Sequence, residues 1–424
     1  MKSDRLNVGV VGAGHMGRHH ARIYGGLECC KLVAVIDKDL DRARKIATEF
    51  GGEPAQRVAD VRERLDAVTV AVPTVYHAEV AIPLLERGVS VLVEKPLAPD
   101  SISAKHLLDA SRTSNGLLQV GHSERFNPVV QAMIKLAVTP RFIETHRISP
   151  FTFRSADIGV VFDMMIHDID IVLHLVGTTG TKGRRDEGTE GEATERQNHG
   201  GTRDHRAAPG LDLGCTIDAV GVNVLGVHED VANARLRFGD QTVANLTASR
   251  LALKTERKIR VFCPTAYLSM DYQQKSGIAI KLSDNLDLIR LARERNFDDL
   301  SQMQHFDFGS MVKIEPLQVT NAEPLRAEIE SFLTAVRARL SDGATTSAHA
   351  KEGRASFAQG APAASPRTKG GAKGVGPDPS DAPPTALAAA SAEEGYAAVA
   401  LAEQITRAVQ SQDWSSTLAA RLSD

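Results

Sequence analysis

A glycine-rich turn near the N-terminus constrains the fold of this chain more than any other feature. An apolar run over residues 6–11 ends at Gly12, Gly14 and Gly17, and a helix-compatible segment follows. In this G-x-G-x-x-G pattern Gly12 allows the turn, Gly14 lets a diphosphate approach the backbone, and Gly17 lets the helix pack closely on the strand. The pattern predicts a strand, a tight turn and a helix whose N-terminus binds a dinucleotide; a turn without a ligand is the alternative.

Asp37 supports the dinucleotide interpretation. A second apolar run, residues 31–36, ends at Asp37, twenty residues beyond Gly17. A carboxylate at this position accepts hydrogen bonds from the adenosine ribose, and its negative charge opposes the 2′-phosphate of NADP. Asp37 therefore favours NAD as the cofactor, although the charge of Lys38 beside it weakens the preference over NADP.

Length, charge and cysteine content exclude several classes of protein. The 424 residues suffice for two domains, and 50 Lys and Arg against 53 Asp and Glu give a net charge of −3, so neither nucleic acid nor an anionic membrane is an expected partner. The four cysteines show no C-x-x-C spacing, which indicates a reducing compartment and no metal site. With no signal-like leader and no long apolar run, we expect a cytoplasmic protein.

The order of apolar and amphipathic segments predicts two domains and an α/β fold. As far as Gly121, short apolar runs alternate with helical segments, which predicts a parallel sheet with helices on both faces. We therefore expect a Rossmann dinucleotide-binding domain over residues 1–121. Residues 122–340 have few helices between strands, which predicts an α+β domain on an open, mainly antiparallel sheet. The strand-like runs there are residues 143–148, 216–225, 231–238, 241–250, 257–263, 266–271 and 278–282.

Two stretches are too poor in apolar residues to join a core. Residues 178–210 contain no Leu, Ile, Val or aromatic residue, which predicts a flexible insertion. Residues 341–385 are rich in Ala, Gly, Pro and Ser, which predicts a disordered low-complexity insertion. An amphipathic helix is expected before it, at 324–340, and residues 386–424 should return as a helix that packs on the body. A protein-binding role is the alternative to tolerated surface loops.

Three polar residues are candidates for catalysis. Asp163 and His167 are four apart in an apolar helix-like stretch, so we expect them on one helical face, with the carboxylate orienting the imidazole and raising its basicity. Such an imidazole can take a proton from a hydroxyl. Lys95 follows a strand at the edge where ligands bind, and a nearby nicotinamide cation would lower its pKa. A surface histidine and a solvated lysine are the alternatives.

Three motifs together resemble the Gfo/Idh/MocA oxidoreductases, named for glucose-fructose oxidoreductase and inositol dehydrogenase. They are Gly12-x-Gly14-x-x-Gly17-x-x-His20, Glu94-Lys95-Pro96 and Asp163-x-x-x-His167. The resemblance covers residues 6–282 and the final helices. It implies NAD(P) in the crevice of a Rossmann domain, a second domain with a large sheet, catalytic roles for Lys95, Asp163 and His167, and a homodimer or homotetramer. An apolar outer sheet face would be the surface for such assembly.

The resemblance also implies cofactor contacts from the glycine turn and from the strand ends. These residues are Gly12, Ala13, Gly14, His15, Met16, Gly17, Asp37, Pro73, His77, Glu94 and Lys95. Two departures from the family pattern are present. Pro73 precedes Thr74, which reverses the usual order, and residues 158–162 replace the glycine run that many members have before the catalytic helix.

Residues 121–128, 153–159 and 164–170 resemble the branch that contains UDP-N-acetylglucosamine 3-dehydrogenases, which oxidise the sugar C3 hydroxyl to a ketone. Guanidinium groups match phosphate oxygens, so Arg125 and Arg154 suit a nucleotide diphosphate, with Asn127 as a further substrate contact; structural ion pairs are the alternative for both arginines. We expect an NAD-dependent dehydrogenase of this nucleotide sugar. Another sugar or polyol, a non-catalytic NAD(H)-binding protein and NAD-dependent glycoside cleavage are the alternatives.

Overall fold

A mainly parallel sheet forms the N-terminal half of the molecule. The computed structural model describes residues 5–136, 138–152, 158–180, 213–225, 227–239, 242–281, 314–355 and 388–412. The elements of this half are β1 (Leu6–Val11), α1 (His15–Gly25), β2 (Cys30–Ile36), α2 (Leu40–Phe50), β3 (Glu53–Ala55), β4 (Ala67–Val70), α3 (His77–Glu86), β5 (Ser90–Glu94), α4 (Ser101–Thr113) and β6 (Leu118–Gly121). These strands are parallel neighbours in the order β6-β5-β4-β1-β2-β3, which confirms the predicted Rossmann domain.

The strand order places a crevice beside β1. From β1 the chain passes to β2 and β3 on one side and then to β4, β5 and β6 on the other. In sheets of this kind ligands bind beyond the carboxyl ends of the strands at the point where the order reverses. The residues that follow Val11, Ile36, Val70, Glu94 and Gly121 therefore surround one site.

An eight-stranded sheet forms the second domain. Its strands are β7 (Phe142–Ile148), β8 (Cys215–Val222), β9 (Val231–Phe238), β10 (Thr242–Ser249), β11 (Glu256–Phe262), β12 (Ala266–Asp271), β13 (Ser276–Lys281) and β14 (Ile314–Pro316). The order is β14-β13-β12-β11-β7-β10-β9-β8, and among these described strands only the β7–β10 pair is parallel, which confirms the mainly antiparallel prediction. Helices α5 (Pro128–Ile134) and α6 (Ile166–Gly180) share a buried apolar core with one face of this sheet.

The chain enters α6 through a π-helical turn over Val161–Met165. The sequence spacing predicts a regular α-helix there. A π turn has i→i+5 hydrogen bonds, so side chains four apart do not stack as they do on an α-helix. Asp163 lies in the turn and His167 in the α-helix that follows, which changes the relation between the two candidate residues.

Helix α7 (Pro324–Ala355) belongs with the first domain, although its segment up to residue 340 was expected in the second. Ile329, Phe332 and Val336 are buried in one cluster with Val8 and Val10 of β1. The helix also continues beyond residue 340 into the stretch that was expected to be disordered. Alanine has the highest helix propensity, so an alanine-rich segment can extend a helix without an apolar face. Residues 356–385 and 181–210 of the two predicted insertions lie outside the described residues.

The C-terminal segment returns to the body and joins both cores. Strand β15 (Ala390–Ser391) pairs antiparallel with β6, and α8 (Ala392–Gln410) follows it. Tyr396 and Val399 are buried in the core of the first domain, whereas Leu401 and Ile405 are buried in that of the second. In the part of the chain that the structure describes, no helix has both the length and the apolar character to cross a membrane.

Candidate active site

The glycine turn between β1 and α1 has a closely packed side and an open side. Gly12 has φ of +103°, and a Cβ on Gly17 would overlap the carbonyl oxygen of Gly12, so larger residues do not fit at either position. At Gly14, the N-cap of α1, a Cβ would meet no protein atom within 4 Å. Since the free N–H groups of α1 begin on the open side, the turn fits the diphosphate of a dinucleotide.

The carboxylate of Asp37 lies against the glycine turn. Its Oδ2 accepts a hydrogen bond from the backbone N of Ala13 at 2.6 Å, and its Oδ1 accepts one from Asp39 N at 2.9 Å. Asp37 follows β2 and is only partly buried, so it remains reachable for a ribose hydroxyl. His15, which is exposed, and Met16, which is partly buried, open helix α1 beside the same turn.

His77 connects two loops of the site rather than facing the crevice. Its Nε2 lies 3.0 Å from the carbonyl oxygen of Val72, and its Nδ1 lies 3.1 Å from that of Pro96. The ring is 1% exposed, and burial lowers its pKa. The predicted cofactor contact of His77 is therefore wrong, because both ring nitrogens face carbonyl oxygens of the protein. Pro73 is exposed and precedes the 3₁₀ turn Thr74–Tyr76.

Lys95 meets Asp163 where the two domains join. The Nζ of Lys95 donates a hydrogen bond to the backbone oxygen of Asp163 at 2.8 Å and lies 3.7 Å from its Oδ1. Burial lowers the pKa of Lys95, and the carboxylates of Asp163 and Glu94 oppose this change. Its side chain is still 22% exposed. A lysine of the cofactor domain and an acid of the second domain thus form one pair beside the crevice.

His167 is a neutral base candidate. Burial lowers its pKa well below the usual value, and the charges of Lys95 and Arg147 lower it further. Its Nδ1 is enclosed and has no hydrogen-bond partner among the described residues, whereas the residue as a whole is partly exposed. The ring therefore stays neutral at neutral pH, and Nε2 is the nitrogen left to meet a substrate.

The predicted action of Asp163 on His167 is wrong. The carboxylate of Asp163 lies against Lys95, and the pKa of His167 is lowered rather than raised. The π-helical turn accounts for the difference, because it separates two side chains that an α-helix would stack. The structure brings Asp163 and Lys95 together and leaves His167 uncharged beside them.

Arg125 is a structural ion-pair partner, which corrects its expected contact with a nucleotide diphosphate. The side chain is 2% exposed, with its Nε and Nη2 each 2.7 Å from the carboxylate of Asp170. Its Nη1 donates to Glu394 of α8 at 2.9 Å. All three guanidinium nitrogens therefore have carboxylate partners inside the protein.

Asn127 also serves the fold rather than the substrate. Its Oδ1 accepts a hydrogen bond from Val129 N at 3.1 Å and caps α5, and its Nδ2 donates to Glu124 at 2.9 Å. The residue is buried, so the predicted substrate contact is wrong. Arg154, the other expected phosphate ligand, lies outside the described residues.

A second buried ion pair on α6 escaped the sequence analysis. Asp168 receives two hydrogen bonds of 2.9 Å from Arg147 of β7, and Arg147 also donates to Glu124 at 3.0 Å. Alternation along β7 places Arg147 on the same inward face as Ile143, and a charge on such a face indicates a buried partner. His167 is thus carried by a helix that two arginines hold.

Glu94, which was expected to contact the cofactor, is instead buried. Its carboxylate accepts a hydrogen bond from His20 of α1 at 2.7 Å. Glu328 of α7 and His122 are also buried, and neither carboxylate oxygen of Glu328 nor either ring nitrogen of His122 has a hydrogen-bond partner within the described ranges. No sequence pattern signals these residues, since only the packing of α7 and the end of β6 buries them.

Comparisons with known proteins agree with this architecture. The model of an oxidoreductase family with an NAD-binding Rossmann fold matches residues 6–122. The UDP-N-acetylglucosamine 3-dehydrogenase of Acidithiobacillus ferrooxidans is 29% identical over 339 residues, which cover 78% of this chain and 89% of that enzyme. Its solved structure superposes with a TM-score of 0.67 at 25% identity, over 96% of this chain and 98% of that one.

Two further relatives have other substrates in their names. An inositol 2-dehydrogenase of Corynebacterium glutamicum is 32% identical over 188 residues, or 42% of this chain and 56% of that enzyme. A levoglucosan dehydrogenase in complex with NADH shares the fold, with a TM-score of 0.63 at 16% identity over 96% of this chain and 97% of that one. Residues 6–122 therefore match the NAD-binding Rossmann domain of the Gfo/Idh/MocA oxidoreductases, and the relatives that the chain resembles are dehydrogenases that act on CH–OH groups of sugars or polyols.

Proposed function

We propose that this protein oxidises the C3 hydroxyl of UDP-N-acetylglucosamine to a ketone with NAD as the acceptor. The observation that carries the dehydrogenase chemistry is the contact of Lys95 with Asp163 beside a neutral His167, at the carboxyl edge of the cofactor sheet. The choice of sugar is supported by the relative from Acidithiobacillus ferrooxidans, which aligns over 89% of its length.

The protein residues would share the work of deprotonation. A bound nicotinamide dinucleotide supplies the hydride acceptor. The Nε2 of His167 accepts the proton of the substrate hydroxyl, for which its neutral state is required. The ammonium of Lys95 donates a hydrogen bond to the same oxygen and stabilises the negative charge that develops there. Asp163 holds that ammonium in place through its backbone oxygen and its carboxylate.

NAD rather than NADP is the proposed cofactor because of Asp37. Its carboxylate is fixed by the backbone N of Ala13 at the end of β2, where the ribose of the adenosine would lie. A 2′-phosphate would meet this negative charge at close range. The cation of Lys38 is exposed and lies 5.9 Å from the ring centre of Tyr76, a contact that points it to a neighbouring loop.

A polyol is the second candidate substrate. The inositol 2-dehydrogenase relative has slightly higher identity, although over little more than half of its length. The ion pair of Arg125 also removes one of the two arginines that had favoured a nucleotide diphosphate, and the hydrogen bonds of Asn127 remove a further expected substrate contact. The identity of the sugar therefore rests on the longer alignment.

A substrate panel tests the proposal. The full-length protein is incubated with NAD and UDP-N-acetylglucosamine, UDP-glucose, glucose or myo-inositol, and NADH absorbance and the mass of the product are followed. We expect NADH and a product lighter by two hydrogens with UDP-N-acetylglucosamine. His167→Ala and Lys95→Met should each lower kcat by at least about 10²-fold, whereas the exposed His106→Asn serves as the control. No NADH with any of the four compounds would refute the function.

The outer face of the second sheet is the proposed surface for a homo-oligomer. Alternation along the strands places Phe142, Phe262 and Tyr267 on this face. The ring centre of Phe262 lies 5.4 Å from that of Phe142 and 4.9 Å from that of Tyr267. Phe262 is 37% exposed. Light scattering coupled to size exclusion should show a dimer or tetramer that Phe262→Glu dissociates.

A further inference from the structure

A chain of buried polar side chains ends at Glu94, the residue that precedes Lys95. His20 and Glu94 are 2.7 Å apart between Nε2 and Oε1, the Nδ1 of His20 lies 3.3 Å from the hydroxyl of Thr69, and that hydroxyl lies 2.8 Å from the hydroxyl of Tyr24. One assignment satisfies every group: Tyr24 donates to Thr69, Thr69 donates to His20, and His20 donates to Glu94. His20, Thr69 and Tyr24 are at most 1% exposed, so water does not compete for these bonds.

The chain connects the dinucleotide-binding helix to the catalytic lysine. His20 lies on α1, three residues after Gly17 of the glycine turn. Glu94 is the last residue of β5, and Lys95 follows it directly. The first helix of the fold therefore reaches from the expected diphosphate position to the residue next to Lys95.

Glu94 remains ionised because of its partners. Burial raises the pKa of its carboxyl, but the hydrogen bond from His20 and the charge of Lys95 lower it below the usual value. His77 of α3 adds to this effect, whereas Glu328 of α7 is a second buried acid whose pKa burial raises. The hydrogen bond from His20 is the largest of the effects that keep the negative charge on Glu94.

The pKa of Lys95 depends in turn on the negative charge of Glu94. The charges of Asp163 in the π turn, Glu94 of β5 and Arg147 of β7 act on this pKa, and the lysine's own charge lowers the pKa of His167 and His122. Of these only Asp163 and Glu94 are carboxylates, and both oppose the loss of the lysine proton that burial favours. Removal of the charge on Glu94 would leave a single carboxylate against burial and Arg147.

We propose that His20 is a positioning residue for Lys95, which acts by holding an ionised Glu94 carboxylate at the end of β5. The role assigned to Lys95 rests on the proposed dehydrogenase function. Burial of a carboxylate costs free energy that its hydrogen bond offsets only in part, so the contact between His20 and Glu94 adds little stability compared with apolar side chains of the same volume. What His20 and Glu94 supply is therefore a fixed negative charge that favours the protonated state of Lys95.

The test is the ionisation of Lys95, measured without any substrate. The full-length protein is labelled with acetic anhydride at a series of pH values, and acetylation of Lys95 is quantified by mass spectrometry. We expect Glu94→Gln to move the labelling midpoint to lower pH by about one unit or more. His20→Asn should move it in the same direction, because Glu94 without its donor is no longer held in place at the end of β5. His20→Gln places an amide N–H where Nε2 lies and should keep the wild-type midpoint.

The double variant separates this role from a merely structural one. If His20 acts through Glu94, His20→Asn combined with Glu94→Gln has the midpoint of Glu94→Gln alone. An unchanged midpoint in both single variants, or shifts that add in the double variant, would overturn the proposal. His106→Asn is the matched control. If His20→Asn does not fold, Glu94→Gln, which keeps the side-chain shape, still tests whether the charge of Glu94 controls the ionisation of Lys95. Because no sugar is present, the result stands apart from the panel: shifted labelling with no NADH formed would refute the dehydrogenase and support the control of Lys95.

Discussion

The ion pair between Arg125 and Asp170 predicts a large loss of stability on a single substitution. Arg125→Met keeps an unbranched side chain but removes the guanidinium. Asp170 is then left 2% exposed without its two hydrogen bonds of 2.7 Å, and its nearest remaining partner is His122, with Nδ1 at 4.0 Å. Burial lowers the pKa of His122, so that ring does not replace the lost positive charge at neutral pH.

The magnitude follows from burial. Removal of one partner of a buried ion pair destabilises a protein by about 3–5 kcal/mol. Arg112 of α4 offers a matched control. It pairs at 3.3 Å with Glu393 of α8, the helix that also carries Glu394, and both side chains are 55% exposed. An exposed pair contributes about 0–1 kcal/mol. Arg125→Met combined with Asp170→Leu removes both charges and should regain most of the loss.

Urea unfolding followed by circular dichroism measures these free energies, and a titration with UDP-N-acetylglucosamine measures binding. We expect Arg125→Met to unfold at a much lower urea concentration than Arg112→Met. A loss below about 1 kcal/mol would refute the magnitude derived from burial. Such a small loss together with weaker binding of the nucleotide sugar would show that Arg125 faces the substrate.

Three further predictions concern the cofactor site and a buried acid. Gly14→Ala should keep wild-type stability but weaken NADH binding at least about tenfold, whereas Gly17→Ala should also destabilise the fold; fluorescence titration and thermal unfolding decide this. Asp37→Ser should raise the affinity for NADP relative to NAD at least about tenfold in the same titration. Burial raises the pKa of Glu328 well above its unfolded value, so its stabilising protonation is lost as pH rises. Above about pH 5 the free energy of unfolding of Glu328→Gln, measured with urea, should therefore exceed that of the wild type by up to about 1.4 kcal/mol for each pH unit.

Local patterns predicted the regular elements well. The bounds of β1, β9 and β12 agree with the predicted ones, since an apolar run or an alternating pattern marks each of them. Asp39 caps α2 through hydrogen bonds to two backbone N–H groups, and Gly51 ends the helix. Strands β3, β14 and β15, with two or three residues each, have no periodicity to detect and were not predicted.

The candidate site was harder to predict because its contacts are distant in sequence. Motif spacing selected Lys95, Asp163 and His167, but it did not reveal that Asp163 contacts Lys95 instead of His167. Arg125 and Asp170 are 45 residues apart, and only the packing of α6 against the end of β6 joins them. A charged residue in a polar loop looks the same in sequence whether it binds phosphate or a buried carboxylate.

Helix α8 restricts how the two halves of the molecule can move. Rigid separation of the domains would pull either Tyr396 and Val399 or Leu401 and Ile405 out of their cores, at about 1.5–3 kcal/mol for each large side chain. The hydrogen bond that Arg125 donates to Glu394 would break as well. The C-terminal helix thus holds the two domains together, and we expect the width of the cleft between them to stay constant when a ligand enters.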